Sequence, residues 1–332
     1  MDLLGEPYAL GMRGNSTRRS VDSRLGVQNN GLIDESVVRP SRPGRVAMYV
    51  IDSQVHIWGA ETAERPWPPG NRDHVQRPEP FGADELVAMM SEAGVNRAVL
   101  VPPSWEGDRN DLVLDAVQRY PGRFAVMGRL ALEQPQSVRS LTTWKSQPGM
   151  LGVRLTFGRS PQKEWLFDGT ADWFWPAAEQ AGVPVMVWAP GSNAKIGEIA
   201  ARHPALHLII DHVGMRAEPD YGAVAEAVDA IVSLAQFANV AVKASALPVH
   251  APESYPFPSL HDPIRRLVDA FGAERVFWGT DLTRLPCPYR DAVRLVTEAL
   301  PGLSESEKQL VMGRALATWL DWEISDAPWS SR

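Results

Sequence analysis

Ile51-Asp52-Ser53-Gln54-Val55-His56-Ile57-Trp58 is the stretch to read first. It ends an apolar run that opens at Met48, and polar side chains gather where the run stops. Side chains alternate along a strand, so Gln54 and His56 share one face while Val55 and Ile57 share the other. Seven more short apolar runs follow, at 97–101, 124–129, 152–157, 183–188, 207–211, 240–244 and 276–280. Most are apolar almost throughout, the pattern of parallel strands covered on both faces. Helical patterns fill the gaps at 83–94, 108–119, 135–146, 171–181, 194–203, 221–236, 262–271 and 288–299. Gly or Pro punctuates several returns to strand, as at Gly94 and at Gly182-Val183-Pro184. A last amphipathic helix, 304–320, starts after Gly302, with Ser304 and Glu307 spaced as a capping box. Strand then helix, eight times over, predicts an α/β protein: a closed (β/α)8 TIM barrel with an additional C-terminal helix. The competing open doubly wound sheet lacks a Gly-rich dinucleotide loop after the first strand. The longest strand-to-helix connection, 58–81, contains Pro66-Trp67-Pro68-Pro69-Gly70 and is the expected lid or substrate wall.

Residues 1–47 read differently. They hold seven Arg against five Asp and Glu, their apolar residues have no period, and Gly, Ser, Asn and Pro are frequent. That is the composition of a flexible extension, and it has no continuous apolar run to serve as a secretory signal. Met48 is an alternative start. The expected organisation is a flexible N-terminal extension (1–47), one barrel domain (48–325) and a short tail (326–332). The net charge of −7 argues against a nucleic-acid partner. No run of ~18 apolar residues offers a transmembrane helix. A single cysteine, Cys287, excludes an intrachain disulfide and a Cys-based metal cluster, and it suits a reducing cytoplasm.

In such a barrel the active site lies at the C-terminal ends of the strands. The sixth run ends Ile210-Asp211-His212-Val213-Gly214, and burying an Asp-His pair is costly unless both groups have partners or work to do. His is also the commonest acid–base group and metal ligand. The eighth run ends Trp278-Gly279-Thr280-Asp281; a carboxylate placed there takes a proton from water or caps the next loop as an Asx-turn. Arg154, Lys243 and Arg284 are candidate anion contacts, with Arg129 a weaker fourth, and each competes with simple pairing to an acid at the barrel mouth. Trp58 and Trp188 offer a flat wall for a ring, whereas Trp67 and Trp105 read as loop packing. His203, His207 and His250 read as surface or loop residues, and Cys287 as structural.

Taken in order, Asp52-Ser53-Gln54-Val55-His56-Ile57-Trp58, Gly152-Val153-Arg154-Leu155, Ile210-Asp211-His212-Val213-Gly214, Val240-Ala241-Val242-Lys243-Ala244-Ser245 and Trp278-Gly279-Thr280-Asp281 fall on strands one, four, six, seven and eight. On these motifs residues 49–322 resemble the amidohydrolase-related proteins, in particular the branch of lactone hydrolases and pyrone-dicarboxylate hydrolases. The resemblance implies hydrolysis of a lactone, amide or related ester. It casts Asp281 as general base, and His56 and His212 as carbonyl polarisers or metal ligands. The chain departs from the family's His-x-His on strand one, where it has Gln54-Val55-His56. Strand five, Val185-Met186-Val187-Trp188, also lacks the His that many metal-dependent members carry. His56, His212 and Asp281 make three ligands for a catalytic zinc, but a neutral Gln54 amide compensates little of a divalent charge. The expectation is a site that requires no cofactor, with a single divalent metal, zinc first, on those three residues as the alternative. The expected substrate is a small anionic cyclic ester or amide, held by Gln54, Arg154, Lys243, Arg284 and Trp58. The expected setting is cytoplasmic, without nucleic-acid or membrane partners; association into a homo-oligomer is left open. The rival readings are a metal-dependent non-oxidative decarboxylase of the same superfamily and a non-catalytic binding barrel.

Overall fold

Eight strands form one sheet in chain order: β1 (Ile51–Val55), β2 (Arg97–Leu100), β3 (Phe124–Gly128), β4 (Met150–Thr156), β5 (Val185–Trp188), β6 (Leu208–Ile210), β7 (Val240–Ser245) and β8 (Val276–Gly279). Every adjacent pair from β1/β2 to β7/β8 is parallel. The computed structural model describes residues 48–216, 218–220 and 223–324, so the expected N-terminal extension and C-terminal tail lie outside the described residues. β8 returns beside β1. There the Asp281 N–H donates to the Gln54 carbonyl at 2.9 Å. The buried Asp52 carboxylate accepts from the Thr280 N–H at 2.9 Å and from the Tyr289 hydroxyl at 2.7 Å. A side chain thus clasps the seam of a nearly closed (β/α)8 barrel.

Alternation along the strands sorts the core into two clusters. One lies between strands and helices and includes Val153, Leu155, Val185, Val187, Val240 and Val242. The other fills the barrel interior with Ile51, Val99, Met127, Met186, Ile209 and Phe277, joined by Leu316 and Leu320. The C-terminal segment therefore packs under the barrel, away from the strand ends that carry polar residues.

Several expected helices differ in detail. The 135–146 stretch is broken into Pro135–Ser137, Val138–Leu141 and Trp144–Ser146, because Pro135 and the β-branched Thr142-Thr143 pair disfavour a continuous helix. The 304–320 stretch has its capping box: the Glu307 N–H donates to Ser304 Oγ at 3.2 Å, and the Ser304 N–H to Glu307 Oε2 at 2.7 Å. It then passes through a wide turn, Leu310–Arg314, between Glu305–Gln309 and Ala315–Trp319. Gly313 presses on β1 inside that turn, where a Cβ would come within 2.7 Å of Ile51 Cγ1.

The 58–81 connection is closed at its base by paired Trp58 and Phe81, with N–H···O distances of 3.0 and 3.2 Å. It holds one short turn, Arg72–His74. No helix among the described residues is long and apolar enough to cross a membrane.

Candidate active site

β6 and β8 both end by turning sharply into left-handed backbone. His212 has φ 52°, Val213 φ 54° and Asp281 φ 53°. This region costs a non-glycine residue of order 1 kcal/mol or more, and it persists only where surrounding contacts hold it. For Asp281 those contacts are its N–H on Gln54 and its carbonyl, which accepts the Arg284 N–H at 2.8 Å.

His56 is 6% exposed, and its Nδ1 lies 2.6 Å from the Val101 carbonyl. A carbonyl only accepts, so Nδ1 carries the proton. Burial pushes this imidazole down to about 4, with Asp281 opposing and Arg154 reinforcing the shift. The ring is therefore neutral near pH 7 and Nε2 is an acceptor. Around it stand Gln54 Nε2 and Asp281 Oδ1, each at 3.3 Å. The Lys243 ammonium fixes the Gln54 amide by donating to Oε1 at 2.7 Å, which leaves the NH2 group for His56. Burial alone would raise the Asp281 carboxyl, but His56, His212, Arg284 and the Gln76 amide outweigh it and hold it below the usual carboxylate range. Arg284 Nε lies 3.1 Å from Oδ2, and Gln76 Nε2 donates to Oδ1 at 3.1 Å. His212 places Nδ1 2.8 Å from the Ser245 hydroxyl, and burial brings it down to about 4.

Behind these groups sits a buried ionic cluster. Asp211, wholly buried, is 2.9 Å from Lys243 Nζ and 3.0 Å from Arg154 Nε. The two cations drive the Asp211 carboxyl far below its ordinary range despite burial, which pulls the other way; Lys243 is lowered by burial first, with Asp211 opposing. Removing one member of such a cluster leaves an uncompensated buried charge, at a cost of about 3–5 kcal/mol.

The expected residues thus separate into two sets. His56, His212, Asp281, Arg154 and Arg284 line one pocket. Gln54, Lys243 and Trp58 do not line it and stand behind it, Trp58 packed on Trp105 and Phe81 at centroid distances of 5.3 and 6.0 Å. The Lys243 ammonium is fully buried and engaged by Asp211 and Gln54.

Several lining residues escaped the sequence reading. Trp105 sets its edge against His56 at 5.7 Å and lines the pocket as well as packing a loop. His74 and Gln76 arrive from the 58–81 connection, and Arg159 and Arg216 from later loops. His250 is not a surface residue: it is 3% exposed, lines the pocket and accepts the Asp220 N–H on Nδ1 at 3.2 Å, which puts its proton on Nε2. Its position just beyond β7 was the available signal. His203 is likewise buried, against Glu179 at 2.9 Å, while His207 is exposed as expected.

The donors around Gln54 and Asp281 are crowded by cations. Among the described residues no group of three or more His, Cys, Asp or Glu side chains is disposed to hold a metal ion. The Gln54 oxygen is taken by Lys243, its NH2 group confronts the His56 lone pair, and Arg284 occupies Asp281 Oδ2. A zinc site needs three free anionic or neutral donors and tolerates adjacent cations poorly.

Comparison with known proteins bears on the whole arrangement. The family profile described as Amidohydrolase matches residues 51–318. An L-fucono-1,5-lactonase from Burkholderia ambifaria is 28% identical over 247 residues, covering 70% of this chain and 79% of that protein. A 4-sulfomuconolactone hydrolase from Hydrogenophaga intermedia is 29% identical over 236 residues, 69% of this chain and 73% of its own length. Among solved structures, a Burkholderia multivorans amidohydrolase with bound zinc aligns at a TM-score of 0.68 and 22% identity, over 82% of this chain and 99% of its own.

Proposed function

The chain belongs to the amidohydrolase family and is a hydrolase, and from that premise we propose that it opens a small lactone bearing an acidic group. The observation that carries this reading is the pairing of an ionised Asp281 Oδ1 with the accepting His56 Nε2, 3.3 Å apart and facing one pocket. Gln54 and Gln76 each donate to one of these acceptors, and a water in the pocket supplies O–H donors for their remaining capacity. Asp281 takes one proton from that water, and the hydroxide oxygen adds to the lactone carbonyl. The developing oxyanion is met by N–H groups of His212 and His250. For His212 this assigns the Ser245 proton to the hydrogen bond on Nδ1, leaving the ring proton on Nε2. The ring C–O bond then breaks, and the leaving alkoxide recovers the proton from Asp281, giving a hydroxy acid. Each step uses groups of the chain alone, so the reading needs no metal.

An acidic substituent is favoured because Arg154, Arg159, Arg216 and Arg284 face the pocket against one lining carboxylate, in a chain of net charge −7. Both curated relatives are named for lactones, one of them sulfo-substituted. The test is a panel of neutral, carboxylated and sulfonated lactones. Acidic members are expected to turn over best, with activity retained after exhaustive chelation. Asp281→Asn should keep its circular dichroism spectrum and lose about 10²–10⁴-fold in kcat. Near-normal turnover in that variant rejects the mechanism; chelation loss restored by zinc rejects metal independence.

A further inference from the structure

A second cavity, of about 500 Å³, opens beside the catalytic pocket and shares His74, Ser104, Arg154, Arg159 and Trp188 with it. That is roughly fifteen water volumes, space the opening of a small ring does not use. Its polar wall lies at the ends of β3 and β4. Arg129 is 9% exposed, and its Nε has no hydrogen-bond partner among the described residues. Its other N–H groups reach only Thr156 Oγ1, at 3.3 and 3.4 Å, and the Pro102 carbonyl, at 3.5 Å. These are at or beyond the long limit of an N–H···O bond. Arg154 donates to the same Thr156 hydroxyl, so two guanidiniums converge on one oxygen.

Counter-charge there is short. Asp211 is already shared between Arg154 and Lys243, and the nearest acid to Arg129 is Asp108, whose Oδ1 is 3.7 Å away on a side chain 40% exposed. Arg129, Arg154 and Arg159 line this cavity against two acids, Asp108 and Glu133. Burial first, then the Arg154 charge, brings the Arg129 guanidinium down to about 10. A guanidinium so placed gains most from a planar anion, which it meets with two parallel hydrogen bonds. The cavity wall also carries apolar Leu130, Leu132 and Trp165, beside polar Glu133, Ser160 and Gln162.

We propose that this annex is a second, distal acidic-group subsite: Arg129, with Arg154 and Thr156, binds the carboxylate or sulfonate at the end of an arm extending from the lactone ring. The arm's chain lies along the apolar wall, and Arg129 selects substrates by their length and terminal charge. The inference rests on the lactonase reading, yet its test needs no turnover.

The probes are linear dicarboxylates from succinate to suberate and the monocarboxylates of matching length, titrated calorimetrically into the full chain. At one or more lengths the diacid should bind at least tenfold more tightly than its monoacid. Arg129→Met should reduce that advantage below threefold and leave monoacid affinity unchanged. Asp108→Asn, at an exposed position and easily tolerated, should strengthen the diacid several-fold by removing a competing carboxylate. The absence of any diacid advantage in the parent chain overturns the proposal, as does an advantage that survives Arg129→Met. Should Arg129→Met not fold, an unchanged diacid affinity in Asp108→Asn overturns it equally. If lactones turn over without diacid selectivity, only the annex fails. If the diacid preference depends on Arg129 but no lactone is hydrolysed, it is the lactonase reading that fails.

Discussion

His56 shows how much one hydrogen bond decides. The Val101 carbonyl fixes the proton on Nδ1, burial keeps the ring neutral, and Nε2 is left to accept. Sequence alternation located His56 and Gln54 on one face, but it could not assign a tautomer, because Val101 is 45 residues away in the chain. With His56 and His212 both lowered to about 4, the unprotonated forms that the proposed reaction uses persist well below neutrality. The expected acid limb of kcat/KM therefore has its midpoint near pH 4–5, and the profile is flat from there to about pH 8. A limb at pH 6–7, the range of an unperturbed imidazole, contradicts the assignment. Asp211 carries a similar lesson. Its cost of burial was legible beside His212, yet its two cations come from β4 and β7, so only the folded chain identifies it as the hub behind the pocket.

Each element contributes mainly through where it stops. β6 and β8 were readable as apolar runs ending in polar pairs, and their abrupt ends swing His212 and Asp281 to the barrel mouth. Gly279 is the critical small residue of the β8–β1 seam. A Cβ there would meet Ser53 Oγ at 2.4 Å and Gln54 N at 3.2 Å. Gly279→Ala is expected to destabilise by about 1–3 kcal/mol through overpacking and to lower kcat, because Asp281 hangs two residues beyond. Urea denaturation with parallel kinetics checks both effects, and an unchanged midpoint contradicts the account. The broken 135–146 segment and the wide turn at Leu310–Arg314 mark the limit of periodicity as evidence. A 3.6-residue pattern reports which face is apolar, and it is silent on where a neighbouring strand demands extra room.

At the scale of the molecule, buried titratable groups tie stability to pH. His56 and His212 have folded values near 4, below their ordinary 6.5, so their contribution is present above 6.5 and lost as pH falls toward 4. Asp52 at the seam is raised to about 6 by burial, against the hydrogen bonds of Thr280 and Gln54; its contribution is present below 3.8 and lost as pH rises through 6. Two imidazoles outweigh one carboxyl. Stability should therefore decline from pH 6.5 to 4.5 by about 1–3 kcal/mol, read from denaturation midpoints. A gain over that range contradicts the balance.

The sequence by itself determined the barrel, the order of its strands, and the three strand-end residues His56, His212 and Asp281. Local periodicity and the position of the first polar residue after an apolar run are properties of contiguous chain. Only the tertiary structure decided that Lys243 and Gln54 pair with each other in the buried interior, that His250 and Arg129 face cavities, and which imidazole nitrogen holds the proton. Those outcomes depend on groups brought within hydrogen-bond reach across the barrel, where burial and neighbouring charge set the chemistry of each side chain.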